Sequence, residues 1–503
     1  MLYKKLQIPI NIPLSTSNEN EFNEFDYGTI KSIHSLNSER ISNIKFFFKN
    51  YFSSKISKVI EDEIFLFLNE IIPIIFKSKF KIEGFYQLFR FTNEILYNFP
   101  YIEILAKKTF VYENLSKVFL FSGYLTNILT KDIKLLDVLQ PEYAMRLNGN
   151  ITFYKNSFDK VNSNIHDEEI VLNHLRQNQR LLKFQILFAL INHEISIKRA
   201  SQELSLLAQA SFDSCLKIVE EQISNKYKID SLKYSIVAYG RFATLSMTSN
   251  SDLDLVFIYD EQTKNEEQNR RIYIELFRQI IKFLSVKTEE GFMYEVDTKL
   301  KPSGKGGPVA CTYKSFKNYH EKRSFSWEKI ALKKTRVIND NVFNFKIKKL
   351  LDKLNSYPIS ENKVADEISM MRTNTKINNK DSIKKETLKW FETKYAGGGQ
   401  RDIEYLNFFK EKKTFKISND EIEKKFLLVE KMENLYFILD QIMNTCFEEK
   451  KQDHLPSNAI NLIIKETNEK DLGSLKATIM SGKKELYNCL NDVVESAKVL
   501  KHD

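Results

Sequence analysis

A chain of 503 residues exceeds what one hydrophobic core usually fills, so two to four domains are expected. With 42% hydrophobic and 28% charged residues, the composition excludes a disordered chain. The net charge of +10 comes from 76 basic and 66 acidic residues that are interspersed along the chain, so it does not mark a nucleic-acid partner, and none is expected.

The N-terminal residues Leu6 to Leu14 hold two prolines and an asparagine and lack a small-residue cleavage site, which argues against a secretory signal. From Asn43 to Leu147 apolar residues recur at helical spacing, as in Ile60, Ile64, Phe67 and Ile71, with Pro100 and Pro141 as breaks between helices. The longest apolar runs, Ile64 to Phe76 and Leu181 to Ile191, are interrupted by polar residues and proline well short of a bilayer span, so neither a transmembrane helix nor a membrane partner is expected.

Asp167 to Tyr227 contains no Pro or Gly and predicts one or two long helices with a buried stripe of Ala200, Leu204, Leu207 and Ala208. At Lys233 the pattern changes. Tyr234 to Ala238 reads as a buried strand ending in a turn at Tyr239-Gly240, Arg241 to Thr248 as a short helix, and Asp252 to Tyr259 as a second strand. Helical spacing returns from Glu266 to Ser285, and Phe292 to Lys301 alternates as a third strand ending at Pro302.

Beyond Ser315 the spacing is helical to the C-terminus, broken at Pro358, Gly397 to Gly399 and Pro456. Eight of the 14 glycines fall between Gly240 and Gly399, which concentrates backbone-demanding turns there. Cys215, Cys311, Cys446 and Cys489 form no C-x-x-C pair and read as reduced thiols in a cytoplasmic protein. His193-Glu194 and the other histidines show no zinc-ligand spacing.

The chemistry-bearing residues cluster around the second and third strands. In Ser251-Asp252-Leu253-Asp254, positions i and i+2 of a strand point to one face, so both carboxylates converge. Adjacent carboxylates repel unless a cation neutralises them, and hard oxygen donors suit Mg²⁺ held together with substrate phosphates. Alone, an Asp-x-Asp pair is more often an exposed strand face. Here Gly240 and the helix start after it offer backbone donors for a phosphate, with Thr244 adding a hydroxyl. Downstream, Asp297, Lys299 and Lys301 share one strand face, a further carboxylate followed by two cations. Glu295 shares that face too, and periodicity does not choose between it and Asp297.

This strand-glycine-helix-Asp-x-Asp-strand unit with a third acidic strand resembles the DNA polymerase β type of nucleotidyltransferase over about 70 residues. A longer match is more specific. Gly240 to Tyr259, then YEVDTKLKPSGKGGPVA, SWEKIALKKTRVI and GGGQRDIEYL, resemble in order and spacing the glutamine synthetase adenylyltransferases, across about 170 residues. Full-length members join an AMP-removing and an AMP-adding unit, whereas this chain shows one. Its Tyr294 to Asp297, Pro302-Ser303-Gly304 and Ser326-Trp327-Glu328 with Ala331-Leu332 look more like the adding unit.

The resemblance implies an α+β chain, predominantly helical, with a small mixed-sheet nucleotidyltransferase domain at 229–345 between an N-terminal helical region, 1–228, and a C-terminal helical domain, 346–503. It implies Asp252, Asp254 and Asp297 as ligands of Mg²⁺ and as the catalytic set. It implies ATP as substrate, held by Gly240, Arg241, Thr244, Ser251, Lys299 and Lys301. AMP would pass to a tyrosine of glutamine synthetase, under a PII-type regulator. The alternatives are phosphorolytic AMP removal and a catalytically impaired nucleotide-binding regulator.

Two departures bear on activity. The family's G-K-L-G-G-x-E becomes Gly240-Arg241-Phe242-Ala243-Thr244-Leu245-Ser246, and neither Ala243 nor Thr244 tolerates positive φ as glycine does. Lys299 and Lys301 stand where the family has arginine, which keeps the charge and removes the bidentate fork.

Three further groups have two readings. The loop Gly304 to Pro308 reads equally as a tight turn or a phosphate approach. Trp327 reads as core on an amphipathic helix with Ile330, Ala331 and Val337, Glu328 being a secondary polar contact to the site. Asp402 and Glu404 read as helix N-terminal carboxylates or, by resemblance, as support for the site.

Overall fold

A computed structural model describes residues 57–499 except 79–80, 97, 133, 140–146, 148, 160–166, 262–265, 303, 379–389, 395, 413–418 and 448–455, together with Ser42, Lys45, Lys49, Phe52 and Ser53. Residues 1–41, Pro141 and Ser303, on which parts of the reading above fall, lie outside the described residues.

The chain divides into two compact units, 1–143 with 456–458, and 144–455 with 459–503. The first unit is helical: α1 (Lys58–Phe76), α2 (Lys81–Ile95), α3 (Phe99–Lys107), α4 (Tyr112–Phe121), α5 (Gly123–Lys131) and α6 (Leu135–Val138). Asn98 caps α3 by accepting from the Tyr101 amide, and Pro100 sits in its first turn, where a missing N–H costs nothing. Ile64, Phe67 and Ile71 form a buried stripe. Phe67 meets Tyr112 edge-on at 5.4 Å and Phe91 meets Phe119 in a tilted pair at 5.2 Å, which makes an aromatic core.

The second unit carries the sheet. Its leading helices are α7 (Ile151–Phe158), α8 (Glu168–Ile191) and α9 (Ile197–Tyr227). Asp167 caps α8 and Ser196 caps α9, dividing the stretch free of Pro and Gly into two long helices. Ala200, Leu204, Leu207 and Ala208 are buried as a stripe on α9.

Five strands follow in chain order: β1 (Tyr234–Ala238), β2 (Leu253–Tyr259), β3 (Val296–Asp297), β4 (Ala310–Thr312) and β5 (Arg336–Val337). Helices α10 (Gly240–Ala243), α11 (Glu266–Ser285), α12 (Tyr313–Lys322) and α13 (Ser326–Leu332) are interspersed. β1 pairs antiparallel with β2 and β5, while β3 and β4 both pair parallel with β2 along its other edge, β3 at its start and β4 at its end. The result is the small mixed sheet of an α+β protein dominated by helix.

The sheet is covered on both faces, which is why β1 is buried at all five positions. On one face Val237, Val256 and Ile258 pack with Phe343, Ile347, Leu350 and Leu354, the last three from α14 (Asn344–Ser356). On the other, Phe257 stacks on Phe277 at 4.6 Å and Tyr259 on Tyr273 at 4.8 Å, both partners lying on α11. Removing the Phe257 ring would cost about 3–5 kcal/mol.

The remaining helices are α15 (Glu361–Asn378), α16 (Gln400–Lys412), α17 (Asn419–Cys446), α18 (Ser457–Thr467) and α19 (Leu472–Val499). Among the described residues no helix is long and apolar enough to cross a membrane. The four cysteines are free and buried.

Several expectations are corrected. The third strand spans only Val296–Asp297 rather than Phe292 to Lys301. The Asp297 carboxylate accepts from the Lys299 amide at 2.8 Å and turns the chain, as aspartate commonly does in loops. The short helix closes at Ala243 rather than Thr248. The region beyond Ser315 is not wholly helical, because β5 adds to β1 and places Val337 in a strand. Trp327 is 39% exposed rather than core. Glu328 accepts from the Phe325 amide at 2.8 Å and the Tyr319 hydroxyl at 2.9 Å, so it secures the start of α13.

Candidate functional site

Register places the acidic residues. Asp254 stands directly opposite Asp297 across the parallel β2–β3 pair, and Asp252 lies two residues before Asp254. The ligand oxygens of Asp252, Asp254 and Asp297 all lie within 4.8 Å of one another, with Asp252 exposed and the other two half-buried. Glu295, which strand periodicity could not separate from Asp297, is not in that cluster. Its carbonyl accepts from the Leu253 amide at 2.8 Å and pins β3 to β2.

The cluster opens on a cavity of about 320 Å³ lined by Asp252, Glu295, Asp297, Thr298, Lys299 and Lys301 among others, enough space for part of a small ligand. Burial, then the charges of Asp252 and Asp297, push the Asp254 carboxyl up to about 6, and Lys394 and Lys299 offset part of this. A divalent cation would relieve that crowding, and three hard carboxylate oxygens are the donors that Mg²⁺ takes. The residues present therefore fit such an ion.

The two lysines differ in their surroundings. Lys299 is exposed, and its Nζ forms an ion pair with Asp297. Lys301 is 4% exposed and its Nζ donates to the Thr298 carbonyl at 3.0 Å, burial holding its pKa below the ordinary lysine value. Both line the cavity.

The segment between β1 and β2 lies against Asp254. Gly240 has φ +57, and a Cβ there would meet the Asp254 carboxylate oxygen at 2.5 Å. The Thr244 hydroxyl donates to the Gly240 carbonyl at 3.2 Å and lies 2.7 Å from the Ser246 hydroxyl. The Ser251 hydroxyl accepts from the Thr248 amide at 2.9 Å and closes the turn into β2. Arg241 is ion-paired with Asp440 of α17.

Ala243 lies in helix α10 and Thr244 has φ −88, so neither residue occupies the left-handed region. That conformation falls on Leu245, at φ +55.

Sequence reasoning passed over several residues that shape this segment. Arg336 on β5 donates to the Phe242 carbonyl at 3.0 Å, the Ala243 carbonyl at 3.3 Å and Gln209 at 2.8 Å, and so caps α10 from below. Its signal was present as the arginine of the KKTRVI block. Asp440 had no such signal, since it lies 199 residues from its partner. Lys394, whose charge acts on Asp254, lies three residues before Gly397 in the chain.

That glycine run is a packed turn. Gly398 has φ +74, and a Cβ on it would lie 1.9 Å from the Lys483 carbonyl. Its amide donates to Asp402 at 2.7 Å, and Asp402 also pairs with Arg372 at 2.9 Å, which is the capping arrangement. Glu404 is exposed on α16. Residues Gly304–Gly306 form one turn of 3-10 helix.

A family profile described as "Glutamate-ammonia ligase adenylyltransferase" matches residues 112–351. The chain is 33% identical over 215 residues to a "Bifunctional glutamine synthetase adenylyltransferase/adenylyl-removing enzyme" of Brucella melitensis biotype 1, a match covering 41% of this chain and 22% of the relative. It is 26% identical over 329 residues to a protein of the same description from Psychromonas ingrahamii, covering 62% and 34%. A third, from Mannheimia haemolytica, is 27% identical over 254 residues, covering 48% and 26%. The matched part of the chain thus corresponds to about a fifth to a third of the length of these relatives. Residues 112–351, just under half of this chain, are thus similar to the glutamate-ammonia ligase adenylyltransferase family.

Proposed function

We propose that the chain transfers AMP from Mg²⁺-bound ATP to a tyrosine hydroxyl of a target protein, glutamine synthetase being the first candidate. The observation that carries this reading is the convergence of Asp252, Asp254 and Asp297 within 4.8 Å at the mouth of a polar cavity. When bound, Mg²⁺ would neutralise the triphosphate and favour loss of the proton from the attacking hydroxyl.

The chain's own residues would do the rest. The three aspartates hold the metal, and Lys299 and Lys301 place positive charge along the cavity wall where phosphate oxygens would lie. The segment from Gly240 to Ser251, with Arg241 and Thr244, offers the approach surface for the triphosphate. On this reading residues 229–345 form the transfer unit, while helical regions 1–228 and 346–503 serve target or regulator binding, a PII-type protein among the candidates. The four buried free thiols suit a reducing, cytoplasmic setting.

A second reading is phosphorolytic removal of AMP from the same tyrosine, releasing ADP, supported by the adenylyl-removing half of the relatives' description. The resemblance of Tyr294 to Asp297 and Ser326 to Leu332 to the adding unit favours addition. Incubation of the chain with unmodified glutamine synthetase, Mg²⁺ and ATP labelled at the α-phosphate, beside Asp254→Asn, separates the readings. Protein-bound label that requires intact Asp254 is the expected result. Absence of label on a target known to be modifiable overturns it, and phosphate-dependent ADP release from adenylylated target establishes removal instead.

A further inference from the structure

Beyond the three carboxylates, one stripe of α17, made by Asp440, Gln441 and Asn444 and continued past the helix end by Phe447, grips the segment that leads into β2. These positions follow helical spacing, and all four reach the segment between β1 and β2. Asp440 is ion-paired with Arg241. Gln441 donates to the Met247 carbonyl at 2.7 Å, the Asn444 carbonyl accepts from Ser249 at 2.6 Å, and the Phe447 carbonyl accepts from Asn250 at 2.9 Å.

Asp440 is the junction of this stripe. Its carboxylate, on a residue only 6% exposed, also accepts from Gln400 at 2.8 Å and Thr393 at 3.3 Å. Thr393 directly precedes Lys394, so one buried carboxylate ties together the two chain segments that flank the acidic cluster. On the other side of the junction Arg241 adjoins Gly240, which has no room for a Cβ over Asp254. A shift of Arg241 therefore moves the start of segment 240–251, which faces the place the triphosphate would take.

We propose that Asp440 is a positioning residue for nucleotide binding: through Arg241 it holds segment 240–251 in the arrangement that accepts the triphosphate, without itself touching nucleotide. This rests on the adenylyl-transfer reading. A buried carboxylate with three donors is replaceable only by a group that keeps both its charge and its geometry, because loss of charge leaves the guanidinium half-buried and without its partner. The other amino group of Arg241, Nη1, is already buried with no hydrogen-bond partner among the described residues. It has no alternative anchor there.

The test uses the full chain and measures calorimetric binding of Mg²⁺ with α,β-methylene-ATP, Mn²⁺ binding without nucleotide, and hydrogen exchange of segment 240–251. Asp440→Asn is expected to weaken nucleotide binding about tenfold or more, to speed exchange in the segment, and to leave Mn²⁺ affinity within about twofold, tenfold being the effect of losing one charge-assisted bond. The double variant Arg241→Met with Asp440→Asn should bind nucleotide no more weakly than the worse single variant. Should Asp440→Asn fail to fold, Asp440→Glu, which keeps the charge but displaces it by one methylene, reads the same coupling. Unchanged nucleotide affinity, additive losses in the double variant, or an equal fall in Mn²⁺ affinity overturns the positioning role. If the intact chain itself binds no nucleotide, the transfer reading falls and this inference falls with it, whereas normal binding by Asp440→Asn removes this inference alone.

Discussion

Gly240 and Asp254 are in contact by way of an absence: the position a Cβ would take on Gly240 lies 2.5 Å from an oxygen of the Asp254 carboxylate. The backbone there is also left-handed, at φ +57. Both space and conformation demand glycine at that point. Gly240→Ala should therefore destabilise the second unit by about 1–2 kcal/mol from backbone strain alone. Displacement of Asp254 should add a loss of transfer of roughly tenfold or more, an effect of that size needing only about 1.4 kcal/mol. Urea unfolding and the labelled-ATP assay check the two parts separately.

The crowding of carboxylates makes a prediction about pH. The Asp254 carboxyl lies at about 6 in the folded chain against an ordinary 3.8, so the folded state binds the proton more tightly than the unfolded state does. Stability present below the unfolded value is accordingly lost as pH rises through about 6. In chelator, Asp254→Asn should melt at a higher temperature than the parent in mildly alkaline buffer and converge with it in mildly acidic buffer. Added Mg²⁺ should raise the melting temperature of the parent and leave the variant unmoved. A parent that is no less stable than the variant in alkaline chelator would contradict the electrostatic account of the site.

Restoring the glycines that the resemblance marks as lost should not help. Ala243 and Thr244 have ordinary backbone conformations, so Ala243→Gly and Thr244→Gly should each destabilise by about 0.5–1 kcal/mol through chain entropy. Leu245 is the residue at φ +55, and its side chain is 41% exposed, so little packing is lost on its removal. Leu245→Gly should stabilise by about 0.5–1 kcal/mol, the left-handed strain relieved exceeding the entropy lost. Thermal melting of the three variants orders them.

Arg336 offers a fourth test. Its guanidinium satisfies two carbonyls of α10 and the Gln209 side chain at once. Arg336→Met should cost about 2–3 kcal/mol by leaving those acceptors without a charged donor. Arg336→Lys should recover only part of this, because an ammonium cannot span three separated acceptors as the planar fork does. The measurement is the urea midpoint of each variant, with affinity for Mg²⁺-bound ATP falling in the same order.

Much of the sheet was legible because its central strands are continuous apolar runs and because two aspartates at i and i+2 cannot avoid sharing a face. Asp252, Asp254 and Asp297 could be named on that ground together with the resemblance. The short strands β4 and β5 were not legible, since two or three residues carry no periodicity, and they are defined by their partners Phe257 to Tyr259 and Val237 to Ala238. The third strand was read too long because Thr298 to Lys301 continue to alternate in hydropathy after the Asp297 side chain has already turned the backbone. Trp327 was assigned to the core on its chemistry, but α13 turns it outward. Asp440 was invisible because nothing local distinguishes an aspartate that closes an ion pair 199 residues away.

That separation also fixes an order of events during synthesis. At about 5–20 residues per second, a ribosome needs on the order of 10–40 s to travel from Arg241 to Asp440. Once Asp297 has been added, and for the rest of that interval, the nascent chain carries both strands of the acidic cluster, while the helix that grips the segment ahead of them is still incomplete. Chains that end between Asp297 and Asp440 would therefore carry the aspartates without the clamp, and the intact grip itself reports that translation has passed that point.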